Sequence, residues 1–254
     1  MRDLNVSEYL FVFSLFSIWS LLLINIILAM GGYIFYFKNF DKEIKEIDEY
    51  PMISILVPAH NEAKVIGRTV ESLLLLNYPK SKMELIVIND NSSDNSKEIL
   101  ENIKDRYNNY NFTIINTDSL TGGKGKSNAL NIGYTISKGD FIAVYDADNT
   151  PDKNALRYLV QTIVMNDELG AVIGKFRTRN KNKNLLTKFI NIETLSFQWM
   201  SQAGRWQLFN LCTIPGTNFI LRRSIIEEIG GWDSKAIAED TEISFRIYKL
   251  GYKI

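Results

Sequence analysis

The sequence predicts an α/β fold, with a mostly parallel sheet and helices on both faces, preceded by one N-terminal transmembrane helix. Two features of the 254-residue chain predict this fold. From Pro51 onward, short apolar runs alternate with segments of helical periodicity, which is the pattern of parallel strands joined by helices. Before that point, residues 9–37 contain no charged side chain. The predicted order is therefore an apolar anchor, a short charged linker and one α/β domain.

The N-terminal apolar stretch predicts a membrane span. A helix rising about 1.5 Å per residue over residues 9–37 would exceed the roughly 30 Å hydrocarbon core of a bilayer. A signal peptide is the alternative, but its apolar core is typically about 7–15 residues long and leads into a small-residue cleavage site. Here the stretch ends in the aromatic sequence YIFYF at 33–37, which is typical of a membrane interface. We therefore expect residues 1–37 to form a transmembrane anchor.

The orientation of this anchor follows from the basic residues around it. Arg2 precedes the span, whereas Lys38, Lys42 and Lys45 follow it. Because basic residues near a span favour the cytoplasmic side, residues 38–254 are expected in the cytosol and the protein at the cell membrane. The single cysteine, Cys212, fits a reducing compartment.

The domain that follows the charged linker 38–50 is predicted to span residues 51–254. Its apolar runs predict strands at 53–57, 85–88, 112–115, 141–145 and 171–176. Helical patterns between them predict helices at 62–76, 95–107, 126–137 and 153–166. A further helix is expected to begin at the acidic pair Glu239 and Asp240, because acidic side chains favour helix N-termini.

Composition excludes several classes of function. The 29 basic and 29 acidic residues balance and form no arginine-rich stripe, so no nucleic-acid partner is expected. One histidine, His60, argues against a histidine-based zinc site or a Ser-His-Asp triad. The sequence GGKGK at 122–126 is not a Walker A loop, because Leu120 stands where that motif needs its first glycine. Its glycines and lysines suit either phosphate binding or a flexible solvated loop.

Two carboxylates, Asp146 and Asp148, come directly after the predicted strand 141–145. Like charges held this close repel each other, and a divalent cation would relieve the repulsion. Oxygen ligands suit Mg²⁺ or Mn²⁺, and Mg²⁺ typically uses one or two carboxylates together with substrate phosphates. A solvated turn is the alternative, because the sequence continues DNTP at 148–151.

Polar residues also follow two earlier predicted strands, in the sequences PAHNE at 58–62 and NDNSSD at 89–94. In open α/β sheets, ligands bind beyond the carboxyl ends of the strands. The three polar segments are therefore expected at one edge of the sheet. This convergence favours a site for metal and phosphate over a simple turn.

Four motifs in this order resemble those of the family-2 inverting glycosyltransferases, which have the GT-A fold. They are VPAHNE at 57–62, NDNSSD at 89–94, GKSNALNIG at 125–133 leading to DAD at 146–148, and AED at 238–240 after GGWD at 230–233. The resemblance covers residues 51–254. It extends to membrane polysaccharide synthases of the poly-N-acetylglucosamine, cellulose and hyaluronan type, with the first of these favoured.

The resemblance implies a role for each matching residue. Asp90 would recognise the uracil of a UDP-sugar, and Lys126 would lie near the diphosphate or uridine. Asp146 would hold the nucleotide-sugar and, with Asp148 as the first choice of ligand, the Mg²⁺ or Mn²⁺ on its diphosphate. Asp240 would be the general base, and Glu239 would tune its position or charge. The remaining substrate contacts would come from Pro58, Ala59, Glu62, Gly216, Thr217 and Asn218.

The sequence departs from the family pattern at two places. Asn89 stands where the common motif has its first Asp. Processive members carry a Q-x-x-R-W motif after the Glu-Asp pair, followed by further membrane helices. QAGRW at 202–206 has these letters but precedes Glu239, so we take it as a chance match on an amphipathic helix. The chain is accordingly expected to be C-terminally truncated.

The sequence leaves three hypotheses for function. The first is a membrane-anchored enzyme that moves a hexose or N-acetylhexosamine from a UDP-sugar to a polysaccharide or lipid-linked acceptor, with inversion. The second is a glycosyltransferase that adds one sugar to a polyprenyl phosphate or glycolipid. The third is a non-catalytic scaffold that binds a nucleotide-sugar, against which the intact acids argue.

Overall fold

The computed structural model describes residues 5–40, 47–178 and 180–254. Arg2, Lys42 and Lys45, on which the predicted orientation depends, lie outside these ranges, as does the middle of the predicted linker 38–50. Contacts divide the described chain into two compact units. The anchor unit contains residues 5–40 and 176–212, and the sheet unit contains residues 47–175 and 213–254. The predicted domain boundaries remain predictions, although residues 176–212 group with the N-terminal helix.

The anchor unit begins with the long helix α1 (Val6–Asn39). Asn5 caps it, since its side chain accepts from the Glu8 backbone N–H and the Glu8 carboxylate accepts from the Asn5 N–H. Polar side chains within the apolar run bond to the helix itself: Asn25 Nδ2 donates to the Leu21 carbonyl at 2.8 Å. The helix is long and apolar enough to cross a membrane, and its most apolar window is not buried inside the protein.

The rest of the anchor unit is helical. Helix α6 (Leu185–Ser196) continues into a π-helical turn (Phe197–Gln202) and helix α7 (Ala203–Phe209). The backbones of α1 and this segment come into direct contact at glycines. A Cβ on Gly32 would lie 1.9 Å from the Trp199 carbonyl oxygen, and one on Gly204 would lie 2.1 Å from that of Leu28. Such close approach through small residues is typical of helices packed within membranes.

Replacing Gly32 with alanine is expected to destabilise the anchor unit by about 1–3 kcal/mol, the usual range for overpacking. The added methyl group meets a backbone oxygen that cannot move aside. Thermal unfolding in detergent measures the change. The matched control is Gly67→Ala in the sheet unit, where the nearest atom to the new Cβ is a side-chain methyl of Ile99 at 3.3 Å. Equal melting temperatures for Gly32→Ala and the parent protein would contradict the packing.

The sheet unit is built on a mixed sheet. Its strands are β1 (Ile53–Ala59), β2 (Met83–Asn89), β3 (Phe112–Asn116), β4 (Phe141–Val144), β5 (Ala171–Ile173) and β6 (Phe219–Arg222). They lie in the order β3-β2-β1-β4-β6-β5 within the described residues. Strand β6 runs antiparallel to both its neighbours, and the pairs among β1 to β4 are parallel. Strands β1, β2 and β4 are almost wholly buried, as expected for strands covered on both faces.

Helices lie between these strands and after the last of them. They are α2 (Ile66–Leu74), α3 (Ser96–Arg106), α4 (Lys126–Ile136), α5 (Ala155–Val164), α8 (Arg223–Ile229) and α9 (Glu239–Lys249), with a 3₁₀ turn at Lys80–Lys82. The predicted α/β class and the five predicted strand positions are confirmed. Most boundaries shift by one or two residues, and two shift further: the helix predicted from residue 62 begins at Ile66, and the strand predicted to reach residue 176 ends at Ile173. Strand β6 and helix α8 were not predicted.

Candidate functional site

The loops after β1 and β2 are joined by hydrogen bonds. The Asn61 backbone N–H donates to Ser92 Oγ at 2.9 Å, and Asn61 Oδ1 accepts from the Ser93 N–H at 2.8 Å. Asn61 adopts a left-handed backbone with φ 55°, a conformation that Asn tolerates. His60 Nδ1 donates to the Asp90 carbonyl at 2.6 Å, and its Nε2 accepts from Asn61. Both ring nitrogens of His60 therefore hold the loop together.

Asp90 lies at the end of β2 and is buried. Its Oδ1 accepts from Thr117 Oγ1 at 2.8 Å and from the Gly123 N–H at 2.9 Å. Gly122 leaves room for this contact, because a Cβ there would lie 2.3 Å from Asp90 Oδ1. The loop after β3 thus fixes the Asp90 carboxylate. The sequence analysis did not identify Thr117. Its position could have indicated it, because it is a polar residue directly after strand β3.

Lys126 connects two parts of the sheet unit that are far apart in sequence. It begins α4, directly after Gly125, whose φ of 93° favours glycine. Lys126 Nζ donates to Asp146 Oδ1 at 2.6 Å and to the Gly216 carbonyl at 2.7 Å. It also lies 3.9 Å from Glu239 Oε1. One ammonium group therefore joins the loop after β4, the loop before β6 and the start of α9.

The loop that carries Asp146 and Asp148 is held by Thr217. Thr217 Oγ1 accepts from the Asp146 backbone N–H at 2.9 Å and from Asn149 Nδ2 at 2.8 Å. These bonds occupy both lone pairs of the hydroxyl, so its hydrogen remains to be donated. Asp148 is exposed, and the described residues offer its carboxylate no hydrogen bond or ion pair. The structure thus brings Thr217, Asp146 and Lys126 together.

The electrostatics of Glu62 place it beside the acidic loop. Burial is the main cause that raises the pKa of the Glu62 carboxyl above its usual range. The negative charges of Asp148, Asp94 and Asp146 raise the pKa further, in that order. His60 lowers the same pKa by a smaller amount. Several carboxylates therefore repel one another at this edge of the sheet.

These carboxylates fit a divalent cation only together with substrate. Among the described residues, no group of three or more His, Cys, Asp or Glu side chains is arranged to hold a metal ion. Asp146 and Asp148 supply oxygen donors, and Mg²⁺ typically needs no more than one or two protein carboxylates when phosphates complete its shell. The donor set therefore fits a cation that arrives with a diphosphate.

Replacing Glu62 with glutamine is expected to raise the melting temperature at neutral pH. A raised pKa means that ionised Glu62 costs stability, and the cost appears as pH rises through the folded-state pKa. The gain should disappear below about pH 4, where the carboxyl is protonated in both folded and unfolded chains. Because Glu62 is only partly buried, we expect a shift below about 4 °C. Thermal melting at both pH values measures it, and a less stable variant at neutral pH would contradict it.

The predicted base lies at the start of α9. Asp240 is half-buried, and its Oδ1 accepts from the Thr241 N–H at 2.7 Å. Its Oδ2 would lie 3.2 Å from a Cβ on Gly216, and Lys126 Nζ would lie 3.7 Å from the same point. Gly216 itself has φ 78°, which favours glycine. The Asp240 carboxylate therefore faces the loop at Gly216, to which Lys126 donates a hydrogen bond.

Two predicted contact residues are enclosed by the fold. Ala59 is only 3% exposed at the end of β1. Asn218 is buried, and its Nδ2 donates to the Lys175 carbonyl at 3.0 Å. A Cβ on Gly174 would lie 2.3 Å from Asn218 Nδ2, so that glycine makes room for the amide. Asn218 packs within the fold, and its substrate contact stays a prediction, as does that of the half-buried Pro58.

Comparison with protein families and curated proteins gives consistent matches. The family described as "Glycosyl transferase family 2" matches residues 54–230. A "Probable glycosyltransferase YdaM" of Bacillus subtilis (strain 168) is 51% identical over 96% of this chain and 59% of that protein. A "Poly-beta-1,6-N-acetyl-D-glucosamine synthase" of Staphylococcus aureus (strain COL) is 33% identical over 82% of this chain and 48% of that protein. The chain spans only about half to three fifths of these relatives.

Solved structures share the fold. A mannosyltransferase of Pyrobaculum calidifontis, solved with GDP-Man and Mn²⁺, superposes with a TM-score of 0.67 at 19% identity, covering 91% of this chain and 64% of that one. Residues 1–349 of S. aureus TarS, solved with UDP-GlcNAc, give a TM-score of 0.55 at 19% identity, covering 78% of this chain and 53% of that one. At these identities the likeness concerns the fold, and it confirms the predicted GT-A architecture.

Proposed function

The chain belongs to glycosyl transferase family 2, and on that premise we propose that it transfers a hexose or N-acetylhexosamine from a UDP-sugar to a polysaccharide or lipid-linked acceptor, with inversion. The observation that carries the proposal is the position of Lys126. Its ammonium bonds both the Asp146 carboxylate and the Gly216 carbonyl, 3.9 Å from Glu239. This contact supports a single site that contains both the donor-side acid Asp146 and the acid pair of α9.

The nucleotide would bind at the carboxyl ends of β1 and β2. Asp90 Oδ1 is already occupied by Thr117 and Gly123, which fixes the carboxylate for recognition of a base edge. The Pro58–Glu62 loop would line the nucleoside. UDP-GlcNAc is the ligand of the TarS structure, whereas GDP-Man is that of the mannosyltransferase. The S. aureus synthase acts, by its name, in forming poly-N-acetylglucosamine, which favours an N-acetylhexosamine donor.

A divalent cation, Mg²⁺ or Mn²⁺, would be held by Asp148 and Asp146. When bound, it would neutralise charge on the departing diphosphate. The mannosyltransferase with the same fold contains Mn²⁺, which supports this assignment. Lys126 would add a second positive charge at the diphosphate after exchanging its bond to Asp146 for one to phosphate. Thr217 would keep the acidic loop in place and donate its remaining hydrogen to substrate.

Asp240 would activate the acceptor. Its Oδ2 would take the proton of the acceptor hydroxyl as that oxygen bonds the anomeric carbon, while the bond from this carbon to UDP breaks on the opposite face. Inversion follows from a single displacement. The Thr241 N–H bond to Oδ1 holds the carboxylate, so that only one oxygen needs to reach the hydroxyl. Glu239 would restrain Lys126 from the other side.

The location of the acceptor follows from helix α1. This helix is long and apolar enough to span a bilayer, so we propose that it anchors the enzyme in the cell membrane with the sheet unit in the cytosol. An acceptor that grows or is carried at the membrane then suits the anchored site. Addition of one sugar to a polyprenyl phosphate or glycolipid is the alternative for the acceptor.

The test uses the full chain in lipid nanodiscs. Isothermal titration with UDP-GlcNAc, UDP-glucose and GDP-mannose, with and without Mn²⁺, measures donor binding. Release of UDP and the length of any product measure transfer. We expect metal-dependent binding of a UDP-sugar and release of UDP. Failure to bind any nucleotide-sugar would refute the proposal. Binding without turnover, also in a protein that continues past residue 254 to the length of the curated relatives, would support the scaffold. A product extended by one sugar would support single transfer.

A further inference from the structure

A basic segment immediately precedes an exposed apolar face in the anchor unit. From Leu169 to Ile192 the sequence contains no acidic residue. Four exposed basic side chains of the anchor unit lie in this stretch, namely Arg177, Lys181, Lys183 and Lys188. Ion pairs elsewhere join basic residues to nearby acids, but the described structure contains none for these four. Their charge is therefore available to an external anion.

Helix α6 presents large apolar side chains directly after these charges. Asn184 caps the helix, accepting from the Thr187 N–H at 2.9 Å, so that the apolar residues begin in its first turn. Five of them are exposed: Leu185 by 69%, Leu186 by 67%, Phe189 by 59%, Ile190 by 42% and Ile192 by 57%. Contiguous apolar surface of this kind marks an interaction site. We call residues 177–178 and 180–192 the basic–apolar segment.

The same compact unit contains the candidate membrane span. The π-helical turn and α7, which continue from α6, pack against the C-terminal third of α1. Gly32 meets the Trp199 carbonyl, Gly204 meets that of Leu28, and the Tyr36 and Trp199 rings lie 5.2 Å apart. This third of α1 includes the aromatic residues 33–37 that are typical of a membrane interface. The basic–apolar segment is therefore linked to the end of the span where an interface is expected.

We propose that the basic–apolar segment binds the surface of a bilayer that contains anionic lipids. Its lysine and arginine side chains would pair with headgroup phosphates, and Leu185, Leu186 and Phe189 would enter the headgroup–acyl boundary. Adjacent basic and apolar side chains are the combination that interfacial helices use. A peptide or a second copy would explain the apolar face but not the uncompensated charge beside it. The proposal rests on the membrane anchor proposed above and is independent of the sugar transfer.

A fluorescent label reports whether α6 meets lipid. The full chain carries Phe189→Cys with Cys212→Ser, is labelled with an environment-sensitive nitrobenzoxadiazole dye, and is placed in nanodiscs. The discs contain either phosphatidylcholine alone or its mixture with phosphatidylglycerol. We expect a blue-shifted, several-fold brighter emission in the anionic discs, quenched by spin-labelled lipid and weakened by high salt. The control carries the same dye at Asn102→Cys on α3 in the sheet unit. This label should stay in water in both kinds of disc.

Charge variants separate lipid binding from other causes. Lys181→Glu with Lys183→Glu should abolish the dependence of the signal on phosphatidylglycerol, whereas Lys97→Glu with Lys104→Glu on α3 should preserve it. Inorganic phosphate added to neutral discs should change nothing, since a free anion does not bring acyl chains. The proposal is overturned if the label at 189 stays in water in both discs. It is equally overturned if the label is shielded from water to the same extent in neutral discs and this shielding survives charge reversal. A second copy of the chain covering α6 would give that result.

Discussion

Asp240→Asn is expected to lower turnover by about 10²–10⁴-fold, the usual contribution of a general base. Asparagine keeps the shape of the side chain and can still accept from the Thr241 N–H through its oxygen. It cannot take the proton of the acceptor hydroxyl. Donor affinity should change little, because this carboxylate acts on the acceptor side. The measurements are the rate of UDP release at saturating UDP-sugar and the donor dissociation constant.

A neighbouring acid of the same helix supplies the control. Asp240 and Glu242 both lie in the first turn of α9, where acidic side chains stabilise the helix dipole. Glu242→Gln also removes an ion pair with Arg246, whose Nη2 lies 2.6 Å from Glu242 Oε2. If the acids act only by stabilising the helix, both variants should lose stability and keep turnover. Unchanged turnover in Asp240→Asn would refute its assignment as the base.

The parallel strands β1, β2 and β4 were predictable because they are buried on both faces. Such strands are short continuous apolar runs, and β1, β2 and β4 stand out among polar loops for that reason. Strand β6 was missed although its first three residues are apolar and buried. It runs antiparallel between β4 and β5 and follows a long helical segment, so no alternation of strand and helix marked it.

Part of the site was predictable because the carboxyl ends of parallel strands meet at one edge. The acids after β2 and β4 could be assigned to one region from their order alone. The bonds that orient them could not. Thr217 binds the Asp146 N–H across 71 positions of sequence, and Lys126 reaches Gly216 across 90. Contacts of this range depend on how the loops fold together, and a lone threonine or glycine carries no local signal for them.

The anchor unit shows a different limit of sequence reasoning. The apolar length of α1 was sufficient to predict the helix, because a long uncharged run has few other structures. Its partner was not predictable, since Gly31, Gly32 and Gly204 resemble ordinary glycines in sequence. Their role appears only where backbone meets backbone, as at Gly204 and Leu28. Gly204 belongs to the sequence QAGRW at 202–206, which has the letters of the Q-x-x-R-W motif. At least this residue of the sequence packs against α1.

Lys126→Met is expected to reduce turnover by about 10²–10³-fold, the loss typical of removing one group that stabilises transition-state charge. Methionine keeps much of the length and apolar stem of lysine but cannot neutralise a diphosphate. The Asp146 carboxylate also loses the ammonium that lies 2.6 Å away in the present structure. Affinity for UDP should fall as well, because Lys126 would meet the negative charge of the diphosphate in free UDP as well as in the departing UDP.

Lys124 makes this prediction specific. It belongs to the same glycine-rich loop, but its Nζ donates to the Leu120 carbonyl at 2.7 Å and has no acid of the site beside it. Lys124→Met should therefore leave turnover within about twofold, in line with the small effects of changes away from such features. Lys126→Met with a lower melting temperature but unchanged UDP affinity would limit Lys126 to holding the two loops. Loss of UDP affinity at an unchanged melting temperature is the result that assigns its charge to the diphosphate.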